Sequence, residues 1–171
     1  MCYVHLTQQQ MGERCLLPTD VWLDLINQAE KAGMTKAALT GGECLTYPGF
    51  DEIYLHLQTL GIRTAVLTNG ILLNEDRIRF FQRYPPALIQ LTLYGASEDE
   101  YEQVCGGRCF ETVLTNIRSI QKAGLPLSIA ITPNRFLSDG GEALLRLVAS
   151  LDIPYNINSC LFTPHPGTGR E

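Results

Sequence analysis

The sequence predicts an α/β fold in which parallel strands alternate with helices. Three observations support this fold class. Short apolar runs rich in β-branched residues alternate with longer segments of helical periodicity, most helical segments end at glycine or proline, and turn sequences follow the strand-like runs. Because right-handed crossovers join such units, the strands should form a parallel sheet with the helices packed outside it.

The first half of the chain begins with a helix. Pro18 and Thr19 precede the segment DVWLDLINQAEKAG, in which Trp22, Leu25, Ile26 and Ala29 fall on one helical face and Gly33 is placed to end the helix. The segments that follow are a strand at 36–40, a helix at 50–61, a strand at 63–68, and a helix at 74–84 that ends before two prolines. Since the series opens on a helix, the strand that would begin it is expected to be missing.

The second half repeats the alternation. A strand at 87–95 ends at Gly95, and Ser97 is placed to cap a helix with an acidic first turn. The remaining segments are a helix striped by Phe110, Val113, Leu114, Ile117 and Ile120, a strand at 126–132, a helix striped by Leu144, Leu147, Val148 and Leu151, and a strand at 153–160.

Composition limits the classes of function. With 45% hydrophobic and 18% charged residues, the chain of 171 residues is typical of one globular domain. A net charge of −5 disfavours a nucleic-acid partner, which usually needs a basic face. No apolar run approaches the ~20 residues of a membrane helix, and no signal-peptide layout is present, so we expect no membrane association and a cytoplasmic location. The six cysteines are then expected to be thiols or metal ligands rather than disulfides.

Small and polar residues follow the predicted strands. In parallel α/β folds the loops at the carboxyl ends of the strands open on one side, where ligands bind. Each of these strand ends, taken singly, is ordinary turn chemistry. Together they predict a ligand site on one rim, formed by Gly41-Gly42-Glu43, Thr68-Asn69-Gly70, Thr92 to Gly95, Thr132-Pro133-Asn134 and Asn158-Ser159-Cys160.

The order of these motifs resembles the core of the radical S-adenosylmethionine (radical SAM) enzymes. The resemblance is most specific in LTGGECLTYPGFDEIYLHLQTLGIRTAVLTNGILLNED, where Gly-Gly-Glu ends one strand and Thr-Asn-Gly ends the next. QLTLYGASEDEYEQVCGG and FETVLTNIRSIQKAGLPLSIAIT resemble the following units in the branch that matures peptides and proteins, the SPASM type. The resemblance implies a partial (βα)6 parallel barrel that lacks its first strand, with a core at 1–163 and an exit segment at 164–171 that leads toward an absent C-terminal domain.

The N-terminal residues resemble the end of the cluster motif of this family, Cys-x3-Cys-x2-Cys followed by an aromatic residue. The alignment of MCY with that motif makes Cys2 the third ligand of a 4Fe–4S cluster and places Tyr3 near adenine. Met1 would then be an internal residue, with two cysteines and a strand upstream, and the chain would be truncated at both ends. The alternative is that Cys2 is an incidental thiol.

The resemblance implies an enzyme that cleaves S-adenosylmethionine (SAM) reductively at the cluster. The 5′-deoxyadenosyl radical formed in this way would modify a peptide or protein. Three thiolates hold such a cluster, so the chain with Cys2 alone is expected to be inactive. The expected partners are a peptide or small-molecule substrate and an electron donor such as a flavodoxin or ferredoxin.

The first two strand ends carry the most specific candidate residues. The resemblance implies that the carbonyl groups of Gly41 and Gly42, with Glu43, bind the ammonium group of SAM, because glycine lets a ligand approach the backbone closely. Thr68 and Asn69 are expected either to orient the ribose or to structure their loop.

The next strand ends carry looser candidates. The resemblance implies that Thr92 and Tyr94 contact the ribose or the carboxylate of SAM, although Tyr94 could equally be a packed aromatic residue. It also implies that Thr132 and Asn134 contact the adenosine.

Several further residues have weaker signals. Arg108 and Arg118 are candidates to pair with the SAM carboxylate, since a guanidinium group matches it, and both could instead be surface charges. Cys44 stands where the family usually has proline and is expected to be a small buried residue. Cys105 and Cys109 suggest a second metal site but lack the further ligands that a closed site needs.

A second interpretation remains open from the sequence. In it, the chain is a cluster-free α/β module that binds a nucleotide or a protein partner. A missing first strand disfavours this interpretation, because the edge of the sheet would present unpaired backbone groups.

Overall fold

The computed structural model describes residues 16–158. The strands are β1 (Lys36–Leu39), β2 (Arg63–Thr68), β3 (Leu88–Leu93), β4 (Leu127–Ile131) and β5 (Tyr155–Ile157). The helices are α1 (Thr19–Lys31), α2 (Phe50–Thr59), α3 (Glu75–Arg83), α4 (Glu98–Cys105), α5 (Phe110–Lys122) and α6 (Glu142–Leu151). The predicted alternation is confirmed, and two short 3₁₀ helices, Cys44–Thr46 and Ser138–Gly141, were not predicted.

The five strands form one parallel sheet in the order β1-β2-β3-β4-β5. A strictly sequential order means that every crossover advances in the same direction. Right-handed crossovers then place the connecting helices on one face of the sheet, and within residues 16–158 the opposite face carries no helix. We call these the helix face and the open face. This arrangement is the partial barrel that the sequence predicts.

Alternation along the strands assigns side chains to the two faces. In β3, Ile89, Leu91 and Leu93 are fully buried on the helix face, whereas Gln90 and Thr92 between them are partly exposed. The neighbouring strands β2 and β4 follow the same alternation, because the buried Leu91 of β3 is aligned with Thr68 of β2 and with Ile129 of β4. The helix face therefore carries the core, and the open face carries smaller or polar residues.

The core lies between the sheet and α2 to α6. Its largest fully buried side chains are Tyr54, Phe81 and Tyr101, and the stripe predicted on α5 is buried as expected. The α1 helix is different. Ile26 is buried against Ile53, Leu57 and Ile62 of the α2 region, but Trp22 and Leu25, which the sequence places on the same face, are 40% and 43% exposed.

Local signals explain several element boundaries. Ser97 caps α4 as predicted, since its hydroxyl accepts a hydrogen bond from the Glu100 N–H at 3.2 Å. Asn74 caps α3 in the same way, accepting from the Arg77 N–H at 3.0 Å. Within residues 16–158, no helix has the length and apolar character needed to cross a membrane.

Candidate functional site

Glu43 connects the carboxyl ends of β1 and β2. Its carboxylate accepts hydrogen bonds from the Thr68 hydroxyl at 2.8 Å and from the Asn69 N–H at 2.8 Å, although 25 and 26 residues separate them in sequence. It also accepts from the Leu45 N–H at 3.1 Å, which caps the short 3₁₀ helix. The Glu43 carboxylate therefore holds the ends of β1 and β2 together, at the rim where the parallel topology predicts that they meet.

Thr68 and Asn69 use their side chains mainly to shape the loop. The Thr68 hydroxyl is buried on the helix face, where it donates to Glu43 and accepts from the Gly70 N–H at 3.1 Å. The Asn69 side-chain oxygen accepts from the Ile71 N–H at 3.0 Å. Of the two predicted roles, structuring the loop agrees with these contacts, and the contact with the ribose stays a prediction.

Gly70 is required by its surroundings. Its φ of +83° lies in the region that favours glycine, and a Cβ atom there would lie 2.4 Å from Cδ1 of Leu91. The loop is also fixed from α5, because the Asn116 amide donates to the carbonyl oxygens of Gly70 at 2.8 Å and Ile71 at 3.2 Å. Sequence reasoning missed Asn116, which is a polar residue within a helical stripe.

Gly41 and Gly42 leave the backbone of the rim accessible. A Cβ atom built on either glycine would meet no described atom within 4 Å, and both glycines are exposed, so a ligand can approach the backbone here from solvent. Gly41 has a φ of +147°, which restricts the position to glycine, whereas Gly42 has no positive φ. Among residues 16–158, no neighbouring atom requires glycine at position 42. Glycine here would allow a ligand to approach closely, and the ammonium contact stays a prediction.

Cys44 is a buried thiol, as predicted. Its sulfur donates to the Leu67 carbonyl oxygen at 3.4 Å. Burial, and secondarily the neighbouring Glu43 charge, raise the pKa of Cys44 to about 12. The thiol therefore stays protonated at neutral pH and is a poor nucleophile or metal ligand.

Asn134 connects the carboxyl ends of β3 and β4. Its amide donates to the Tyr94 carbonyl oxygen at 2.9 Å and to the Thr132 carbonyl oxygen at 3.3 Å, and its own oxygen accepts from the Phe136 N–H at 3.0 Å. The ring of Tyr94 packs edge-on against Tyr101 with centroids 6.1 Å apart. The structure thus brings Tyr94, Thr132 and Asn134 together, and their contacts with adenosine stay predictions.

Thr92 lies on the open face next to this group. It is aligned with Ala130 of β4, one residue beyond the rung that joins Leu91 to Thr68. Its side chain is partly exposed. Thr92 is therefore available to a ligand on the open face, and its contact with the ribose or the carboxylate of SAM stays a prediction.

Glu100 is the residue of the rim that sequence reasoning missed. Its carboxylate is 5% exposed and accepts from the Ala96 N–H at 2.6 Å, from the Ser138 N–H at 2.8 Å and from the Ser138 hydroxyl. It therefore joins the loop after β3 to the loop after β4. The signal was the spacing Ser97-x-x-Glu100, a capping-box pattern, although here the carboxylate bonds elsewhere.

Burial acts to raise the pKa of the Glu100 carboxyl. The hydrogen bonds from Ser138 and Ala96 outweigh burial, so the pKa lies below its ordinary value and the group is a carboxylate at neutral pH. The same side chain explains Gly95, where a Cβ atom would lie 2.6 Å from Cβ of Glu100. Glu100 thus positions the second half of the rim, as Glu43 positions the first.

The two candidate arginines lie on the surface. Arg108 forms ion pairs with Asp99 at 2.9 Å and Glu102 at 2.7 Å, so its charge is already balanced by its own neighbours. Arg118 is exposed on α5. These positions favour the alternative that both are surface charges.

The described residues contain no group of three or more histidine, cysteine or acidic side chains that could hold a metal ion. Cys105 is exposed, Cys109 is partly buried, and burial raises the pKa of each thiol. The second metal site therefore has no support among residues 16–158. Cys2 and Tyr3 lie outside the described residues, so the predicted cluster ligand and adenine contact stay predictions.

Comparison with known proteins identifies the family. Residues 1–148 match the model of the radical SAM superfamily. The chain is 29% identical over 135 residues to a PqqA peptide cyclase of Streptomyces rochei, an alignment that covers 79% of this chain and 37% of the cyclase.

Solved structures share the fold. SuiB of Streptococcus suis, solved with the precursor peptide SuiA, is similar with a TM-score of 0.75 and 18% identity over 92% of this chain and 36% of SuiB. The protein anSMEcpe, solved with bound AdoMet and the Cp18Cys peptide, is similar with a TM-score of 0.68 and 16% identity over 95% of this chain and 47% of anSMEcpe. The chain thus spans between a third and a half of these relatives. With the Gly-Gly-Glu rim in place and the family model matched over most of its length, the chain belongs to the radical SAM superfamily.

Proposed function

We propose that this chain is the cofactor-binding domain of an enzyme that cleaves SAM at a 4Fe–4S cluster in order to modify a peptide. When bound, the reduced cluster would supply one electron to the sulfonium of SAM, whose C–S bond would break to release methionine and a carbon radical able to remove a hydrogen atom from the substrate. The PqqA peptide cyclase is named for a peptide, and SuiB and anSMEcpe were solved with bound peptides. These similarities support a peptide as the substrate class.

One observation carries the proposal: accessible glycine carbonyls lie next to a carboxylate on the rim of a parallel sheet. The carbonyls of Gly41 and Gly42 accept hydrogen bonds, and an ammonium group only donates them. The Glu43 carboxylate uses most of its acceptor positions for the hydrogen bonds from Thr68, Asn69 and Leu45. We therefore assign the direct contact mainly to the glycine carbonyls, while the charge of Glu43 attracts the ammonium and fixes the loop.

The second half of the rim would hold the adenosine end of the cofactor. The Thr132 hydroxyl could donate a hydrogen bond there and the Asn134 side-chain oxygen could accept a second one, while Glu100 holds the two loops in register. Cys2 would supply one of the three thiolates that hold such a cluster. An electron donor of the flavodoxin or ferredoxin class would then be needed.

Reconstitution tests the function. The full-length protein would be expressed and loaded with iron and sulfide without oxygen. With dithionite and SAM, we expect 5′-deoxyadenosine and methionine as products, measured by liquid chromatography. A Cys2→Ala variant should lose both the cluster absorbance and the products. Products that persist in the Cys2→Ala protein would contradict the assignment of the cluster.

Gly42→Ala separates ligand binding from folding. Because the added methyl group meets no protein atom, the free energy of unfolding should stay the same or rise by about 0.5 kcal/mol. The methyl group would enter the space of the ligand, so the SAM dissociation constant of the reconstituted protein should rise about tenfold or more. Calorimetry measures the binding, and urea unfolding measures the stability.

Gly107→Ala is the matched control for this substitution. Gly107 also has open space around its Cβ position and no positive φ, but it lies in the loop between α4 and α5. Equal SAM affinities of the Gly42→Ala and Gly107→Ala proteins would show that the ligand does not approach Gly42.

A further inference from the structure

Three amide side chains form a continuous hydrogen-bonded chain across the sheet. Gln90 of β3 donates to the Asn156 side-chain oxygen of β5 at 3.1 Å, and Asn156 donates to the Asn158 side-chain oxygen at 3.1 Å. Asn158 in turn donates to the Thr132 hydroxyl at 3.4 Å. We call Gln90, Asn156 and Asn158 the amide stripe.

The register places the amide stripe on the open face. Gln90 alternates with the buried residues Ile89 and Leu91, so its side chain projects away from the helices. Asn156 is aligned with Ala130, which is aligned with Thr92 of β3. The amide stripe therefore begins in the middle of the sheet and rises toward the carboxyl rim, where Thr132 belongs to the candidate cofactor site.

The amide stripe covers the strand that it crosses. Ser128 is aligned with Gln90, and Ala130 with Asn156, so the bond between the two amides passes over β4. Ala130 is accordingly only 3% exposed. The hydroxyl oxygen of Ser128 is buried there and has no hydrogen-bond partner among the described residues. Buried hydroxyl groups without partners are uncommon in folded proteins.

The amide stripe has hydrogen-bond donors and acceptors that the described residues do not use. The side-chain oxygen of Gln90 accepts no hydrogen bond from the described residues, and each amide nitrogen has a second hydrogen beyond the bond described above. The open-face residues of β3, β4 and β5 are all uncharged: Leu88, Gln90, Thr92, Ser128, Ala130 and Asn156. Neutral groups that both donate and accept are complementary to peptide bonds. The cations of the open face, Lys36 and Arg63, lie on β1 and β2, away from the amide stripe.

We propose that the amide stripe binds the main chain of the substrate peptide and so presents the peptide to the rim. In this arrangement a peptide N–H donates to the Gln90 side-chain oxygen, and peptide carbonyl groups accept from the free hydrogens of Asn156 and Asn158. This inference deepens the proposed function and rests on it for the identity of the ligand as a peptide.

Nuclear magnetic resonance tests the proposal directly. The chain labelled with ¹⁵N would be titrated with the blocked tripeptide acetyl-Ala-Ala-Ala-N-methylamide. We expect the side-chain NH₂ signals of Gln90, Asn156 and Asn158 to shift in a saturable manner. The depsipeptide analogue, in which an ester replaces the central amide, should bind about threefold to tenfold more weakly, because it lacks one N–H donor.

Variants complete the experiment. Gln90→Leu and Asn156→Leu should abolish the saturable shifts while leaving the melting temperature within a few degrees, since both side chains are partly or fully exposed. Gln82→Leu, on the exposed surface of α3, is the matched control and should bind the tripeptide as the parent chain does. Tripeptide shifts that avoid the amide stripe, or that persist in Asn156→Leu, would overturn the proposal.

S-adenosylhomocysteine distinguishes the amide stripe from the cofactor site. We expect it to shift the backbone signals of Gly41 and Gly42 and to leave the NH₂ signals of Gln90 and Asn156 unchanged. If it shifts those NH₂ signals and the tripeptide does not, the amide stripe belongs to the cofactor and the proposal fails. The proposed function has its own test, since it fails if the reconstituted protein does not cleave SAM.

Discussion

Glu43→Gln is expected to lower the free energy of unfolding by about 2–4 kcal/mol and to remove measurable SAM binding. The substitution keeps the size of the side chain but replaces one acceptor oxygen with a donor NH₂ group. At least one of the donors Thr68, Asn69 and Leu45 then faces another donor, and the remaining bonds lose their charge assistance. Urea unfolding of the chain and calorimetry of the reconstituted protein would measure the two effects.

Glu52→Gln is the control for this prediction. Glu52 is exposed in the first turn of α2, so its loss should change the free energy of unfolding by no more than about 0.5 kcal/mol. If Glu43→Gln has an effect as small as that of Glu52→Gln, the carboxylate does not hold the two strand ends together.

Glu100→Gln is expected to destabilise the fold by about 3 kcal/mol. The carboxylate is buried and accepts from Ala96 and twice from Ser138, so the amide leaves a buried donor without an acceptor. Glu102→Gln on the same helix is the control. Its ion pair with Arg108 is exposed, and such pairs contribute about 1 kcal/mol or less.

The loss in Glu100→Gln should also depend on pH. Because the pKa of Glu100 is lowered on folding, its carboxylate adds stability above the ordinary value of 4.5, and this stability is lost as the pH falls through the lower, folded-state value. The difference in unfolding free energy between parent and variant should therefore be constant near neutral pH and shrink below pH 4.5. A difference that grows in acid would contradict the assignment.

The elements of the fold could be predicted because their signals are local. The stripe on α5, the cap at Ser97 and the glycine turns are all visible within one or two helical turns of sequence. The α1 helix shows the limit of this reasoning. Its apolar face is evident in sequence, but how much of that face becomes buried depends on neighbours that periodicity does not specify.

The location of the site was predictable from the sequence, but most of its hydrogen bonds were not. Parallel topology alone brings Glu43 and Asn69 to one rim, and they are in contact. Glu100 bonds to Ser138, 38 residues away, and Gln90 bonds to Asn156, 66 residues away. Nothing in the local sequence specifies such pairings. Likewise, Thr68 is a plausible ligand contact in sequence, and only its position on the helix face shows that its hydroxyl is engaged by Glu43.

The separation of the two faces of the sheet has an evolutionary consequence. Side chains that stabilise the fold project to one side of each strand, and those available to a substrate project to the other. Substitutions at Gln90 and Thr92 of β3 can therefore accumulate at little cost to folding, whereas their immediate neighbours Ile89, Leu91 and Leu93 are buried and constrained. A descendant of this domain could thus acquire a new substrate through changes at every second residue of a strand, while the domain continues to fold.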